Sequence, residues 1–170
     1  SNDFTAADRS MELLADLDGL LVPGGFGVRG VEGMVEAVRH ARVNNLPYFG
    51  ICLGLQTAMI EFARNARDCA DPTPSEFAKD CEHPVISLME SQREVDDYGG
   101  TMRLGAYPCE LANGSRSSAI YGFNQVSERH RHRYEVNNEY RDILTQHGMR
   151  LVGLSPDKYL VEMIELQDHP

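Results

Sequence analysis

The sequence has 170 residues, 42% of them hydrophobic, which suits one well-filled core at the usual domain size of roughly 100 to 200 residues. A formal net charge of -10 argues against a polyanion such as nucleic acid, or an acidic membrane, as the main partner. No apolar run reaches the ~18 residues of a membrane span, and Ser1 to Arg9 lacks the apolar core of a signal peptide. Cys52, Cys69, Cys81 and Cys109 form neither a Cys-x-x-Cys pair nor a dense disulfide framework. A reducing, cytoplasmic setting and a small-molecule or protein partner are expected.

The run from Asp18 to Gly27 is short, apolar and broken by Pro and Gly, the pattern of a buried strand ending in a tight loop. Val31, Met34, Val35, Val38 and Val43 then recur at helical spacing between charges, predicting a helix over 31–45. A second buried strand is expected at Leu46 to Ile51, passing through Cys52 into a helix from Gln56 to Arg67. Two successive strand–helix units imply a parallel sheet with covering helices. The Asp-, Pro- and Ser-rich segment 68–84 is a loop, and Pro84 to Met89 a further strand. Between Gly99 and Tyr134, apolar runs separated by Gly-Gly, Asn-Gly and Tyr-Gly suggest antiparallel strands or hairpins on the sheet edge. Asn137 to His147 is helical in pattern, and Arg150 to Leu154 with Tyr159 to Leu166 forms a strand pair around Ser155-Pro-Asp-Lys158. The prediction is an α/β fold, mainly a parallel sheet with helices on both faces and an antiparallel edge, in a single domain over 1–170.

Gly50-Ile-Cys-Leu-Gly54 falls between a strand and a helix and matches the Gly-x-nucleophile-x-Gly pattern of a nucleophile elbow. The glycines are needed because neighbouring chain passes close to a strained turn. A helix N-terminus also favours the thiolate over the thiol. The alternative is a buried cysteine with packing duties. Pro23-Gly-Gly-Phe-Gly27 adds a loop whose backbone N–H groups could face a developing oxyanion. It has no Gly-Lys-Ser/Thr and so lacks the form of a phosphate-binding loop.

Four blocks together, Leu21 to Met34, Gly50 to Gln56, Gly99 to Gly105 and Glu128 to Asn138, resemble the class I glutamine amidotransferases, and within them the glutaminase domains of the CTP synthase family. The Arg-His-Arg-His-Arg-Tyr and Gly-Gly-Thr-Met-Arg-Leu-Gly blocks carry the narrower likeness. The resemblance implies a flavodoxin-like architecture and a Cys52 that attacks glutamine's side-chain amide to release ammonia. That ammonia would pass to a separate synthase domain, which aminates UTP to CTP with ATP. Gly25 would belong to the oxyanion and substrate loop, and Leu53, Gly54, Leu55 and Gln56 would line the glutamine site. Glu76 would hold the α-amino group and Arg133 the α-carboxylate, a role that suits the planar guanidinium fork. It further implies a homo-oligomer, a tetramer for the whole enzyme, no metal or cofactor in this domain, and ATP with Mg in the synthase domain.

Taken on its own residues, the Arg129 to Arg133 stretch is equally an exposed charged edge or an anion-binding patch, and Glu76 a solvated charge. A zinc site from His130 and His132 has no further ligand at suitable spacing. The family's His-Pro-Glu, which supplies the base and its orienting carboxylate, does not occur. His169-Pro170 resembles an earlier His-Pro of the family and is not the candidate base. The family's opening strand and helix and its synthase domain are not seen in these residues either, so little activity is expected of this chain alone. A non-catalytic glutamine-binding or partner-docking module is the alternative function. A hydrolase of the same broad fold acting on other amides fits Glu76 and Arg133 less well.

Overall fold

The computed structural model describes residues 13–25, 30–65, 84–88 and 103–170, and the chain divides into two compact units, Ser1–Val85 with Asp168–Pro170 and Ile86–Gln167. Glu76, the loop expected over 68–84 apart from Pro84, and the residues from Gly99 to Met102 lie outside the described residues.

In the first unit β1 (Leu20–Val22) and β2 (Tyr48–Gly50) pair in parallel, with Leu20 beside Tyr48 and Val22 beside Gly50. Parallel neighbours need a crossover, and α1 (Val31–Val43) provides it. Gly30, at φ 79, opens α1 from the left-handed region that glycine adopts without strain. Asn44 closes the helix by donating its backbone N–H (3.1 Å) and its Nδ2 (2.9 Å) to the His40 carbonyl. α2 (Leu53–Asn65) leaves β2 almost at once, beginning earlier than the Gln56 expected from periodicity. Val31, Val35, Val38 and Ala41 of α1 and Leu53, Met59, Ile60 and Ala63 of α2 are buried. Full burial of each larger side chain is worth roughly 1.5 to 3 kcal/mol. Two arginine forks join the helices: Arg42 donates to the buried Glu61 at 2.8 and 2.9 Å, and Arg64 to Glu32 at 2.7 and 2.9 Å. The bidentate geometry offsets much of the cost of burying Glu61.

The second unit is antiparallel. β3 (Ile86–Leu88) pairs with β6 (Tyr134–Val136). A four-stranded sheet runs in the order β5 (Gln125–His132), β4 (Arg103–Leu111), β7 (Met149–Leu154), β8 (Val161–Leu166). Cys109, Leu111, Met149, Val152 and Val161 form its buried side. The β7–β8 pair and its Ser155–Lys158 turn follow the sequence expectation, as does the helical stretch after Asn137. There a 3-10 turn (Asn138–Tyr140) runs into α4 (Arg141–Gln146), with Asn137 Oδ1 accepting the Glu139 N–H at 3.1 Å.

The antiparallel strands expected between Gly99 and Tyr134 are present as β4 and β5, but the Asn113-Gly114 and Tyr121-Gly122 breaks between them are not tight turns. These two signals bracket a short helix, α3 (Arg116–Tyr121). Ser115 caps it, its Oγ accepting the Ser118 N–H at 3.0 Å, and Gly122 at φ 72 ends it. The α/β class, the parallel strand–helix–strand unit and the antiparallel part are all present. Among the described residues more strands lie in antiparallel ladders than in the parallel pair.

Candidate active site

Cys52 stands where β2 ends and α2 begins, half-buried, with φ at 56. That left-handed backbone is strained for any residue with a Cβ. Close packing of backbone on either side imposes it. A Cβ placed on Gly50 would lie 2.6 Å from the Gly54 carbonyl carbon, and one on Gly54 would lie 2.1 Å from the Val22 oxygen. Both positions therefore require glycine. The same Val22 carbonyl accepts the Ile51 N–H at 2.9 Å, carrying the β1–β2 pairing to the residue before the cysteine.

The turn is then locked into the helix. Gly54 donates its N–H to the Ile51 carbonyl at 2.9 Å, and Gln56 donates to the Cys52 carbonyl at 3.1 Å. The Gly54 carbonyl accepts from the Tyr48 hydroxyl at 2.7 Å and from Thr57 Oγ1 at 3.0 Å. Burial pushes the Tyr48 phenol up to about 12, so it stays a donor at any ordinary pH. Leu53 and Gly54 are buried, Leu55 and Gln56 half-buried. The Gly54 and Gln56 amides of the first helical turn are thus taken up by carbonyls of the turn itself.

The glycine loop after β1 closes against this turn. A Cβ on Gly24 would meet the Cys52 Cβ at 3.3 Å and its Sγ at 3.8 Å, and one on Gly25 would meet Leu53 Cδ2 at 3.1 Å. Gly25, Cys52, Leu53, Gly54, Leu55 and Gln56 are thus gathered in one small part of the first unit. Cys109 offers a contrast: it is fully buried in β4, and burial pushes its thiol up to about 11.

Arg133 belongs to the second unit, half-buried in the bend between β5 and β6. Along β5 exposure alternates, so Arg129 and Arg131 face out while His130 and His132 turn inward. The charged block is therefore not a uniform exposed edge. Inward lies a buried ionic cluster that the sequence reading missed. Arg103 donates Nη1 to Glu135 Oε1 at 3.1 Å and grips Glu162 through both terminal nitrogens. Its guanidinium carbon also lies 4.6 Å from the centre of the Tyr107 ring. His132 Nδ1 is 3.5 Å from Glu135 Oε1, and His130 Nε2 is 3.6 Å from Glu162 Oε2. Burial lowers the His130 pKa against the opposing pull of Glu162. The sequence signal was faint: two glutamates, at 135 and 162, inside otherwise apolar strand patterns. No group of three or more His, Cys, Asp or Glu among the described residues is arranged to hold a metal, and no helix there is long and apolar enough to cross a membrane.

A strand–helix–strand unit with a left-handed cysteine between two obligatory glycines, backed by a second glycine loop, is the arrangement of a class I amidotransferase. The whole chain, residues 1–170, matches the family described as Glutamine amidotransferase class-I, and the chain belongs to that family. Within it, the relatives are CTP synthases. The chain is 58% identical over 157 residues to the CTP synthase of Carboxydothermus hydrogenoformans, covering 92% of this chain and 29% of that protein. It is 52% identical over 170 residues to that of Cytophaga hutchinsonii, covering 100% of this chain and 32% of that one. The chain thus spans about a third of the length of the curated relatives it matches. Among solved structures it is similar to the glutaminase domain of Trypanosoma brucei CTPS with bound acivicin, at 38% identity and a TM-score of 0.84, covering 96% of this chain and 67% of that one.

Proposed function

We propose that this chain is the glutamine-hydrolysing part of a CTP synthase, with Cys52 as its nucleophile. The observation that carries the reading is the left-handed backbone of Cys52 between Gly50 and Gly54, with Gly24 against its side chain. Strain of this kind persists only where surrounding structure imposes it, and it collects at functional sites. In this reading the thiolate adds to the side-chain carbonyl carbon of glutamine. Negative charge gathers on the oxygen, for which this reading assigns the backbone N–H groups of Gly25 and Leu53 as donors. The carbon–nitrogen bond breaks, the nitrogen takes a proton and leaves as ammonia, and a γ-glutamyl thioester remains. Water then cleaves the thioester to glutamate and regenerates the thiol.

Arg133 pairs with the substrate α-carboxylate and Glu76 with its α-amino group, while Leu55 and Gln56 complete the wall around glutamine. The general base is not among these residues, since no His-Pro-Glu occurs in the sequence. His169 is not the base; its Nε2 lies 3.1 Å from the Ala41 carbonyl, which ties the ring to α1. The chain alone would accordingly turn over little glutamine. The partner that consumes ammonia is the synthase domain, which also holds ATP and Mg, within a cytoplasmic homo-oligomeric (tetrameric) enzyme.

The deciding experiment replaces Cys52 with alanine in a full-length enzyme containing this sequence. Glutamine-dependent CTP formation should fall by roughly three powers of ten or more, as when a covalent nucleophile is removed. CTP formation from added ammonia should persist. Surviving glutamine-dependent activity, or equal loss of both activities, would overturn the reading.

A further inference from the structure

We propose that Glu135 is a positioning residue for Arg133, holding the β5–β6 bend so that the arginine is presented to glutamine's carboxylate in one orientation. The proposal rests on Arg133 being that carboxylate's ligand. Arg133 occupies the single position between His132, the last residue of β5, and Tyr134, the first of β6. These strands do not belong to one ladder: β5 pairs with β4, and β6 with β3. Arg133 itself stands in neither ladder, and the side chains flanking it add to what the two ladders fix.

Glu135 supplies that hold from both directions. Its Oε1 lies 3.5 Å from His132 Nδ1, reaching back across the bend, and accepts from Arg103 Nη1 at 3.1 Å. Arg103 is the ladder partner of His132 in the β4–β5 pairing. One carboxylate oxygen therefore connects the residue before Arg133, the residue two after it, and the neighbouring strand. The anchor is itself rigid. Arg103 is bound on its other side by Glu162 of β8, which also faces His130, and its guanidinium lies over the Tyr107 ring. The side chains of Arg103, Glu135 and Glu162 are 4%, 8% and 3% exposed.

A buried ion cluster is weak support for stability, because apolar residues of like volume are often as stabilising. Its better-attested use is to specify one conformation, and here the conformation specified is the bend that carries Arg133. Fixing the base of a long side chain matters most for arginine. Its fork gains a bidentate pair only when both nitrogens meet the carboxylate together.

The test uses Glu135→Gln, Glu135→Asp, Arg133→Ala and the Glu135→Gln/Arg133→Ala pair in a full-length enzyme containing this sequence. Glu135→Gln is expected to raise KM for glutamine by roughly fivefold to fiftyfold, the range of coupling seen between contacting groups. Its kcat with saturating glutamine and its CTP formation from ammonia should stay within about twofold of the parent, a split that a general loss of structure would not give. Glu135→Asp, which keeps the charge on a shorter stem, should fall between, and it decides the matter by itself if Glu135→Gln does not fold. In the Arg133→Ala background, Glu135→Gln should add nothing further to KM. An unchanged KM in both Glu135 variants, an effect additive with Arg133→Ala, or a parallel fall in ammonia-dependent activity would overturn the positioning role. If Arg133→Ala itself leaves KM unchanged, the reading of Arg133 as substrate ligand fails. That outcome is distinct from a silent or additive Glu135.

Discussion

The chain around Cys52 and the chain around Arg133 are shaped by opposite means. Around Cys52 the fixing is done by backbone against backbone, with glycines where any Cβ would collide and hydrogen bonds between main-chain groups of the same short stretch. Beside Arg133 a bend joins two ladders, and what packs there is a cluster of buried charges from distant strands. The first solution tolerates no added atom. The second depends above all on Arg103, whose removal would leave Glu135 and Glu162 buried without their common cation.

The largest expected effect sharpens that contrast on the backbone side. Gly54→Ala puts a Cβ where 2.1 Å separates it from the Val22 oxygen, a main-chain atom with no freedom to swing away. A cost above about 3 kcal/mol is expected, as for overpacking that forces backbone to shift. A thermal melt of the chain should show a drop of many degrees or no cooperative transition. A melt like the parent's would mean that the turn is looser than its geometry implies.

A smaller effect follows from removing one support of the same turn without adding bulk. Tyr48→Phe leaves the Gly54 carbonyl with Thr57 as its remaining hydroxyl donor. The loss should be about 1 kcal/mol, the net worth of a typical hydrogen bond. Urea denaturation measures it. A loss several times larger would show that the elbow depends on side-chain polarity as the other region does.

The smallest effect concerns charge in the second unit. Burial lowers the His130 pKa, with Glu162 and Glu135 opposing and Arg103 and His132 adding to the shift. Its folded pKa lies below the usual ~6.5, so as pH falls below that value the unfolded chain takes up a proton sooner than the folded one. Stability is therefore fully present above about pH 6.5 and declines toward acid. Comparing urea midpoints at neutral and mildly acidic pH, His130→Phe should reduce that decline. An undiminished decline would assign it to other groups.

The elbow could be read from the sequence because its cysteine and both glycines lie within five positions, Gly50 to Gly54, although the oxygen that makes Gly54 obligatory comes from Val22 in β1. The parallel unit was legible for a similar reason, since hydrophobic periodicity and breakers mark strand and helix where they occur. The antiparallel strands between Gly99 and Tyr134 were legible too, while the Asn113-Gly114 and Tyr121-Gly122 breaks proved to flank a helix, because turn residues also serve as helix boundaries and Ser115 supplies the cap. The amidotransferase family followed from motif blocks alone. The ionic cluster beside Arg133 did not, because Arg103 meets Glu135 and Glu162 across separations of 32 and 59 residues. Strand register brings those groups together. A glutamate in an apolar strand pattern reads alike whether it faces water or an arginine; only the paired strands, which set the side each residue turns to, decide that it is buried and what charge it meets.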